Sequence, residues 1–576
     1  MNTTKRFLLC LSFAWAALAV LAVPARRGTW KTLRLADGTR VRAQLTGDER
    51  GHCWTAEDGT KYAPGEETGV YVPVTRMRPT RKAAPRRTGS GGVRARRSAA
   101  QRRAAYRGTK RGLVVLAQFA DFSFAADHDV ALYANILNKE GYTDANGFRG
   151  SVRDYFKAQS GGVFDLQFDI VGPVTLSKSQ NYYGQNDPKT DEDRHAAEMI
   201  IEACKLANAA GADFSKYDWD GDGEVDQVYV VYAGMGEADG GEAYTIWPHE
   251  YDLESAKYYG DGTGPMRMDG VRVNTYACGS ELDGDGHIEG IGTFCHEFSH
   301  CLGYPDMYDT EYAGNFGMSS FDLMDQGSYN GGGFRPAGYS SYEKWVAGWL
   351  TPTELADEAV TVTDLKPMSE GGEAFVIYNR AHPDEYYLVE NRQKTNWDSQ
   401  LPARGLMVIH VDYNELCWEW NMVNTVIDYE QEYGKDYAGI KNDHQRLTII
   451  HADNNDDSQY WRPKGGYYSR QTLSTDLYPY ARRDSLTNES APAATLYNDN
   501  TDGTKLMNIR LTAITQNSDG TMSFRYAPVK EGDGIEDVTD TARAASDGET
   551  YDLTGRRVAN PARGLYIVGG KKRIFQ

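Results

Sequence analysis

In the stretch GTFCHEFSHCLGYPDMYD, residues 292–309, His296 and His300 stand four apart with Glu297 directly after the first. Residues four apart share one face of a helix, so a helix here presents both imidazoles to a single metal ion with Glu297 beside them. Gly303 lets the chain turn sharply after that helix, and Asp306 can then return as a third ligand. Two nitrogens and a carboxylate oxygen suit zinc and leave a fourth position for water. Glu297 would take the proton of that water and pass it to a leaving amine, so the implied chemistry is hydrolysis of an amide. A short HExxH also occurs by chance on solvated surface helices; the longer pattern through Asp306 is far rarer.

Two downstream segments bear on the same site. In SSFDLMDQGSYNGGG, Met324 follows Asp306 by 18 residues at a Gly-rich turn that could set a thioether beneath the metal, although a lone Met more commonly fills a core. In SSYEKWVAGWL, Glu343 sits on an expected helix and is an alternative third carboxylate, of the kind gluzincins use. Asp306 is preferred.

With these residues in view, HEFSHCLGYPDMYD and the later Met324 resemble the metzincin zinc peptidases, and specifically the secreted bacterial metallopeptidases of the immune inhibitor A type. Metzincins generally carry His where this chain has Asp306, and aspartate there is similar to the immune inhibitor A pattern. GSVRDYFKAQSGG, YDWDGDGEVDQVYVVYAG, WPHEYDL and EYYLVENRQKTNWDSQLPARGLMVIHVDYN also look like segments of that family, which extends the resemblance over roughly residues 110–525. The resemblance implies a zinc endopeptidase with His296, His300 and Asp306 as ligands and Glu297 as base.

A second ion is suggested by DWDGDGEVD, residues 218–226. Asp218, Asp220, Asp222, Glu224 and Asp226 occupy alternate positions of a calcium loop, with Gly223 at its sharp turn. Tyr229 stands where the usual bidentate glutamate would be, so the loop is not a complete EF-hand; a solvated acidic turn has the same composition. Calcium there would be structural. A further acidic cluster, HADNNDDS at 451–458, is weaker.

What must position these residues is a long chain with a divided charge. Its 576 residues exceed what one hydrophobic core usually supports, which favours two or three domains. The net charge is −19, yet residues 1–111 hold 24 basic and 7 acidic side chains while the rest hold 38 and 74. Fourteen of those basic residues fall in 76–111, a stretch with no acid and almost no large apolar side chain, which cannot pack a core. It reads as a linker cut by a trypsin-like protease, as a nucleic-acid arm, or as a solvated tether. The acidic remainder would repel phosphate, and the start of the chain argues for export.

That start has Lys5 and Arg6, then an apolar run of about 15 residues with small residues at Ala22 and Ala25, the pattern of a cleaved secretory signal. The run is short for a bilayer span, and no later segment reaches 18 uninterrupted apolar residues. Cys10 lies inside the run. Cys53, Cys204, Cys278, Cys295, Cys301 and Cys417 are too few and scattered for a disulfide-built scaffold. Export would permit a bridge such as Cys278 to Cys295. Cys53 could ligate zinc in a precursor, though a structural role is the more ordinary one.

The expected architecture is multidomain α+β. It runs from a signal peptide (1–25) and a propeptide (26–110, with the basic linker at 76–111) to a metzincin-like catalytic domain (111–350) of a twisted sheet and an active-site helix. A β-rich domain (351–530) and a linker with a C-terminal module (531–576) follow. Within the catalytic part RGLVVLAQFADFSF reads as a buried strand, SVRDYFKAQSGG and DEDRHAAEMIIEACKLANAAG as helices and DQVYVVYAG as a strand. YDLTGRRV and GLYIVGGKK resemble the sorting modules of Bacteroidetes-type proteins exported by the type IX route, which would put the protein outside the cell or on its surface. The leading expectation is a secreted zinc endopeptidase made as a zymogen and acting on protein substrates, with no nucleic-acid partner. A non-catalytic surface adhesin is the alternative, against which the intact Glu297 argues.

Overall fold

Apolar side chains on both faces of one sheet organise the centre of the molecule. In the computed structural model, which describes residues 23–65, 69–75, 105–187, 192–312, 314–456, 470–529, 550–552, 557–558, 564–568 and 571–575, that sheet has five strands. Residues 28–75, within the expected propeptide, form a small barrel of β1 (Trp30–Leu35), β2 (Arg40–Asp48), β3 (Gly51–Ala56), β4 (Lys61–Pro64) and β5 (Val70–Val74). β1 and β5 seal it in parallel, with Arg34 opposite Val70. The leader before Val23 and the basic stretch 76–104 lie outside the described residues.

The central sheet comprises β6 (Gly108–Gln118), β7 (Phe164–Thr175), β8 (Val228–Met235), β9 (His249–Asp252) and β10 (Thr275–Leu282). Its order is β7-β6-β8-β10-β9, parallel except for the antiparallel edge strand β9. Side chains alternate across the pleat. Val114, Leu116, Phe168 and Tyr229 face helices α2 (Val152–Gln159) and α4 (Ile291–His300), whereas Leu113, Val115, Val230 and Cys278 face α3 (Ala196–Ala209). Helix α1 (Val130–Asn138) covers the β7 edge of the first face.

The helix starts follow from their caps. The Ser151 hydroxyl accepts the Asp154 N–H and Asp154 returns a bond to the Ser151 N–H, a capping box that fixes the first turn of α2. α3 begins at Ala196, later than its acidic lead-in suggests. Its first N–H groups, from Ala197 and Glu198, are capped by Asp261, 64 and 63 residues away, which no local pattern reveals.

Beyond residue 350 the expected β-rich region is a sandwich. One sheet is built from Thr353–Glu354, Ala374–Tyr378, Glu385–Arg392, Gly405–Asp412 and Leu447–Ile449; the other from Val360–Leu365, Met522–Pro528, Ile509–Gln516 and Leu486–Thr487. Alternate residues divide the first sheet between two cores: Leu406 and Val408 pack into the sandwich, while Met407, Ile409 and Leu388 join the core that holds α4. The sequence change at 350 therefore marks a change of secondary structure inside one compact unit that runs to Ala527. The remaining unit, from Pro528, contains a three-stranded antiparallel sheet (Thr550–Tyr551, Gly564–Val568, Lys571–Phe575); much of the expected sorting motif, including 553–556, lies outside the described residues.

The expected Cys278–Cys295 bridge is not formed. Cys278 faces α3 and Cys295 lies on α4 across the sheet, and Cys53, Cys204, Cys278, Cys295, Cys301 and Cys417 are all buried outside any disulfide among the described residues. Among the described residues no helix is long and apolar enough to cross a membrane.

α4 sits against the Gly-rich segment 327–333 at a distance only glycine permits. A Cβ on Gly292 would lie 1.9 Å from the Ser328 carbonyl oxygen, and one on Gly290 would lie 2.3 Å from the Gly333 carbonyl carbon. Gly292→Ala is expected to lower stability by about 1–3 kcal/mol through forced overpacking, measured as the urea midpoint of the full chain. An unchanged midpoint would show that the helix has room to shift.

Candidate metal centre

All ten residues of α4 are buried, because its Phe294 and Phe298 wedge against the sheet while its other side meets the 319–333 loop. Phe294 stacks on Tyr229 with centroids 3.9 Å apart, and Phe298 meets Phe168 edge-on at 5.4 Å. These contacts fix the rotation of the helix and so the direction of His296 and His300. Gly303 then adopts φ +92°, and the chain doubles back to bring Asp306 over the histidines.

The three side chains converge as the sequence predicts. His296 Nε2 is 3.1 Å from Asp306 Oδ1, His300 Nε2 is 3.5 Å from the same oxygen, and the three groups place their ligand atoms within 4.8 Å of one another. All three residues are fully buried. Each ring is held by its other nitrogen: His296 Nδ1 donates to the Leu323 carbonyl (2.8 Å) and His300 Nδ1 to the Tyr304 carbonyl (2.7 Å). Since carbonyls only accept, each ring when neutral carries its lone pair on the inward-facing Nε2.

Asp306 is clamped by Asn421, which donates from Nδ2 to Oδ2 (2.6 Å) and accepts the Asp306 N–H at Oδ1 (2.7 Å). Burial raises the Asp306 carboxyl above its usual range against the pull of His296 and Asn421. Glu297 is pushed well above the carboxylate range by burial first and then by the Asp306 charge, and its Oε2 is buried without a hydrogen-bond partner. Two inward lone pairs, a carboxylate between them and an orphaned acid oxygen alongside form a donor set that fits a divalent cation.

Met324 is buried in the loop beneath this site. Its carbonyl accepts the Met307 N–H (2.8 Å), next to Asp306, and the preceding carbonyl is the one that holds His296. Glu343 goes elsewhere: it accepts from the Ser340 hydroxyl and lies against Asp322, whose carboxyl is driven well up by burial and by Glu343 itself. It is not part of the converging group. In the acidic loop, Asp218, Asp220 and Asp222 bring carboxylate oxygens within 4.8 Å of one another. Glu224 instead pairs with Arg272 (2.7 Å), and Asp226 Oδ2 accepts the Trp219 N–H (2.6 Å). Cys53 lies in the barrel beside Thr55, with Sγ 3.7 Å from its hydroxyl.

The cleft also holds the beginning of the described chain. The Val23 N–H donates to Glu297 Oε1 at 2.7 Å, and Val23 is fully buried. Trp247 Nε1, the Tyr329 hydroxyl and Gln326 Nε2 donate to the carbonyls of Val23 (3.0 Å), Pro24 (2.9 Å) and Ala25 (3.1 Å) in turn. On the other side the Ala25 N–H donates to Gly47 of the barrel (2.8 Å) and the Arg26 N–H to Ala238 (2.9 Å). Sequence reasoning assigned residues 23–25 to the leader and did not anticipate this contact or Asn421, whose partner lies 115 residues away.

Comparison with known proteins places this geometry in context. Residues 114–350 match the model of the immune inhibitor A peptidase M6 catalytic domain. That is a family-level match over the central sheet, α4 and the Met324 loop. The pre-pro-metalloprotease PrtV of Vibrio cholerae serotype O1 is 32% identical over 234 residues, which cover 36% of this chain and 25% of that protein. Immune inhibitor A of Bacillus thuringiensis subsp. alesti is 26% identical over 291 residues, covering 42% of this chain and 41% of that one. The chain thus spans well under half the length of these relatives.

Metal analysis of purified variants distinguishes the two carboxylates. Asp306→Ala is expected to lose bound zinc and Glu343→Gln to retain it, while Asn421→Ala weakens zinc affinity about 10- to 100-fold by freeing the Asp306 carboxylate. Zinc loss in the Glu343 variant with retention in the Asp306 variant would reverse the assignment.

Proposed function

We propose that the protein is a secreted zinc-dependent endopeptidase, made as a latent precursor, with His296, His300 and Asp306 as zinc ligands and Glu297 as the general base. The observation that carries this reading is the buried convergence of two inward Nε2 lone pairs and one carboxylate beside an unpartnered Glu297 oxygen, within residues that match a metallopeptidase family. Bound zinc supplies a Lewis acid that polarises the scissile carbonyl and lowers the pKa of the attacking water. Glu297 takes the water proton at Oε2 and delivers it to the nitrogen of the leaving amine. Asn421 holds Asp306 in place, and the Leu323 and Tyr304 carbonyls keep the rings from turning.

The position of Val23 supports a latent precursor. Its N–H occupies Glu297, the group that must stay available to water and leaving amine, and the segment behind it fills the cleft. A leader cut after Ala22, three residues before the boundary at 25 expected from the sequence, would leave Val23 as the first residue of the exported chain, in keeping with the name of one relative, a pre-pro-metalloprotease. The basic stretch 76–111 would then be where a second protease separates the barrel from the sheet. The C-terminal three-stranded unit is proposed, on its sequence resemblance, as the export or surface-attachment module.

Full-length protein is expected to cleave casein weakly before, and at least tenfold faster after, trypsin has cut the basic stretch and been inhibited. A zinc chelator and Glu297→Gln should each abolish the gain, the variant keeping about one zinc per chain. Cleavage that survives Glu297→Gln would refute the assigned base. The acidic loop is proposed as a structural calcium site on its three converging carboxylates; added calcium should raise the melting temperature of the wild type but not of Asp220→Asn, and equal shifts would remove calcium from the loop.

A further inference from the structure

The residue that follows the cleft-bound tripeptide enters a buried acidic pocket. Arg26 Nη1 lies 3.1 Å from Asp239 Oδ1, and its guanidinium stands over the Tyr329 ring at 5.8 Å from the centroid. Glu289 shares the pocket. Asp239 is 5% exposed and Glu289 9%, and both Glu289 oxygens are buried without a hydrogen-bond donor. Among the described residues no other Lys, Arg or His lies within 4.0 Å of either carboxylate. The wall opposite is made of glycine: a Cβ on Gly332 would lie 3.6 Å from Arg26 Nη2, and one on Gly333 3.2 Å from Glu289 Oε1. The pocket is therefore shaped and charged for one long cation.

With the N-terminal segment seated the two carboxylates are buried, and its departure takes away the one guanidinium that faces them. An unpaired buried acid costs several kcal/mol unless it is protonated or meets a cation. Arginine brings one charge that pairs directly with Asp239 and acts on Glu289 through its field. The register in the cleft says where on a substrate that arginine would stand. The Val23 nitrogen touches Glu297, the proton donor to the leaving amine, so Val23 occupies the place of the first residue after the cleaved bond. Arg26 is then the fourth.

We propose that Asp239 and Glu289 form a specificity pocket that selects arginine or lysine at the fourth position after the cleaved bond of protein substrates. This rests on the peptidase reading above. The N-terminal segment uses the same pocket as its anchor.

The test uses the full chain after trypsin has cut the basic stretch and been inhibited. Quenched fluorescent peptides differing only at that fourth position carry arginine, lysine, norleucine or glutamate. kcat/KM for the arginine and lysine peptides should exceed that for norleucine at least tenfold, mainly through KM, with glutamate lowest. Asp239→Asn and Glu289→Gln should each bring the arginine-to-norleucine ratio towards one. Equal kcat/KM on all four peptides while casein is still cleaved overturns the pocket and leaves the peptidase reading intact. A second readout needs no turnover: the rate at which the cut N-terminal piece leaves the rest of the chain, followed by gel filtration. Arg26→Met and Asp239→Asn should each raise that rate at least tenfold in chains whose melting before the cut matches the wild type. If no substrate is cleaved, the substrate preference is overturned together with the peptidase reading, and faster release in both variants then upholds only the anchoring of the N-terminal segment; unchanged release overturns that as well.

Discussion

The structure turns on the burial of acids. Asp306 and Glu297 lie beside two imidazoles with no solvent access, and a carboxylate in such a place is tolerated only where charge or hydrogen bonds compensate it. The compensation is distributed. His296 is fixed by the carbonyl before Met324, His300 by the carbonyl of Tyr304, and Asp306 by Asn421 from the β-rich region. Three separate segments therefore have to be in register before the donor set exists, which explains why one sheet of the β-rich region shares its core with α4.

Rigidity comes from two kinds of close packing. On the sheet side, aromatic rings leave α4 one rotation, with Phe294 and Phe298 parallel to each other and wedged among Tyr229 and Phe168. On the loop side, Gly290 and Gly292 let backbone meet backbone. Any side chain at those positions would separate the helix from the loop that carries the Leu323 carbonyl, so the glycines act on the histidines without touching them.

How far the site can be read from the sequence follows from sequence distance. His296, Glu297 and His300 are set by one helical turn, and Asp306 by one glycine turn after it, so spacing alone brings them together. Glu343 offers the same chemistry at a plausible distance, and only the tertiary placement beside Asp322 takes it out of the group. Asn421, Asp239 and Glu289 give no local signal, since ordinary polar residues in loops acquire their roles by burial. Strands beyond residue 350 are legible from alternation and the first strand of the central sheet from its apolar run, but the closure of the barrel, the sandwich and their shared core are not, because a strand pattern states that a face is buried without saying against what. The late start of α3 fails for the same reason: its cap comes from Asp261 in another segment.

The N-terminal segment extends the logic of compensation along the cleft. It brings an N–H to Glu297 at one end and a guanidinium to Asp239 at the other, and between them its carbonyls meet Trp247, Tyr329 and Gln326. The barrel contributes the Gly47 carbonyl to the same strand of backbone, so the segment is held from both sides. Partial withdrawal would strand a buried acid at whichever end was vacated first, while the remaining bonds still held the segment down. Release is therefore expected to be close to all-or-none. A cut in the basic stretch, as proposed, would turn an intramolecular contact of high effective concentration into one that dilution can break.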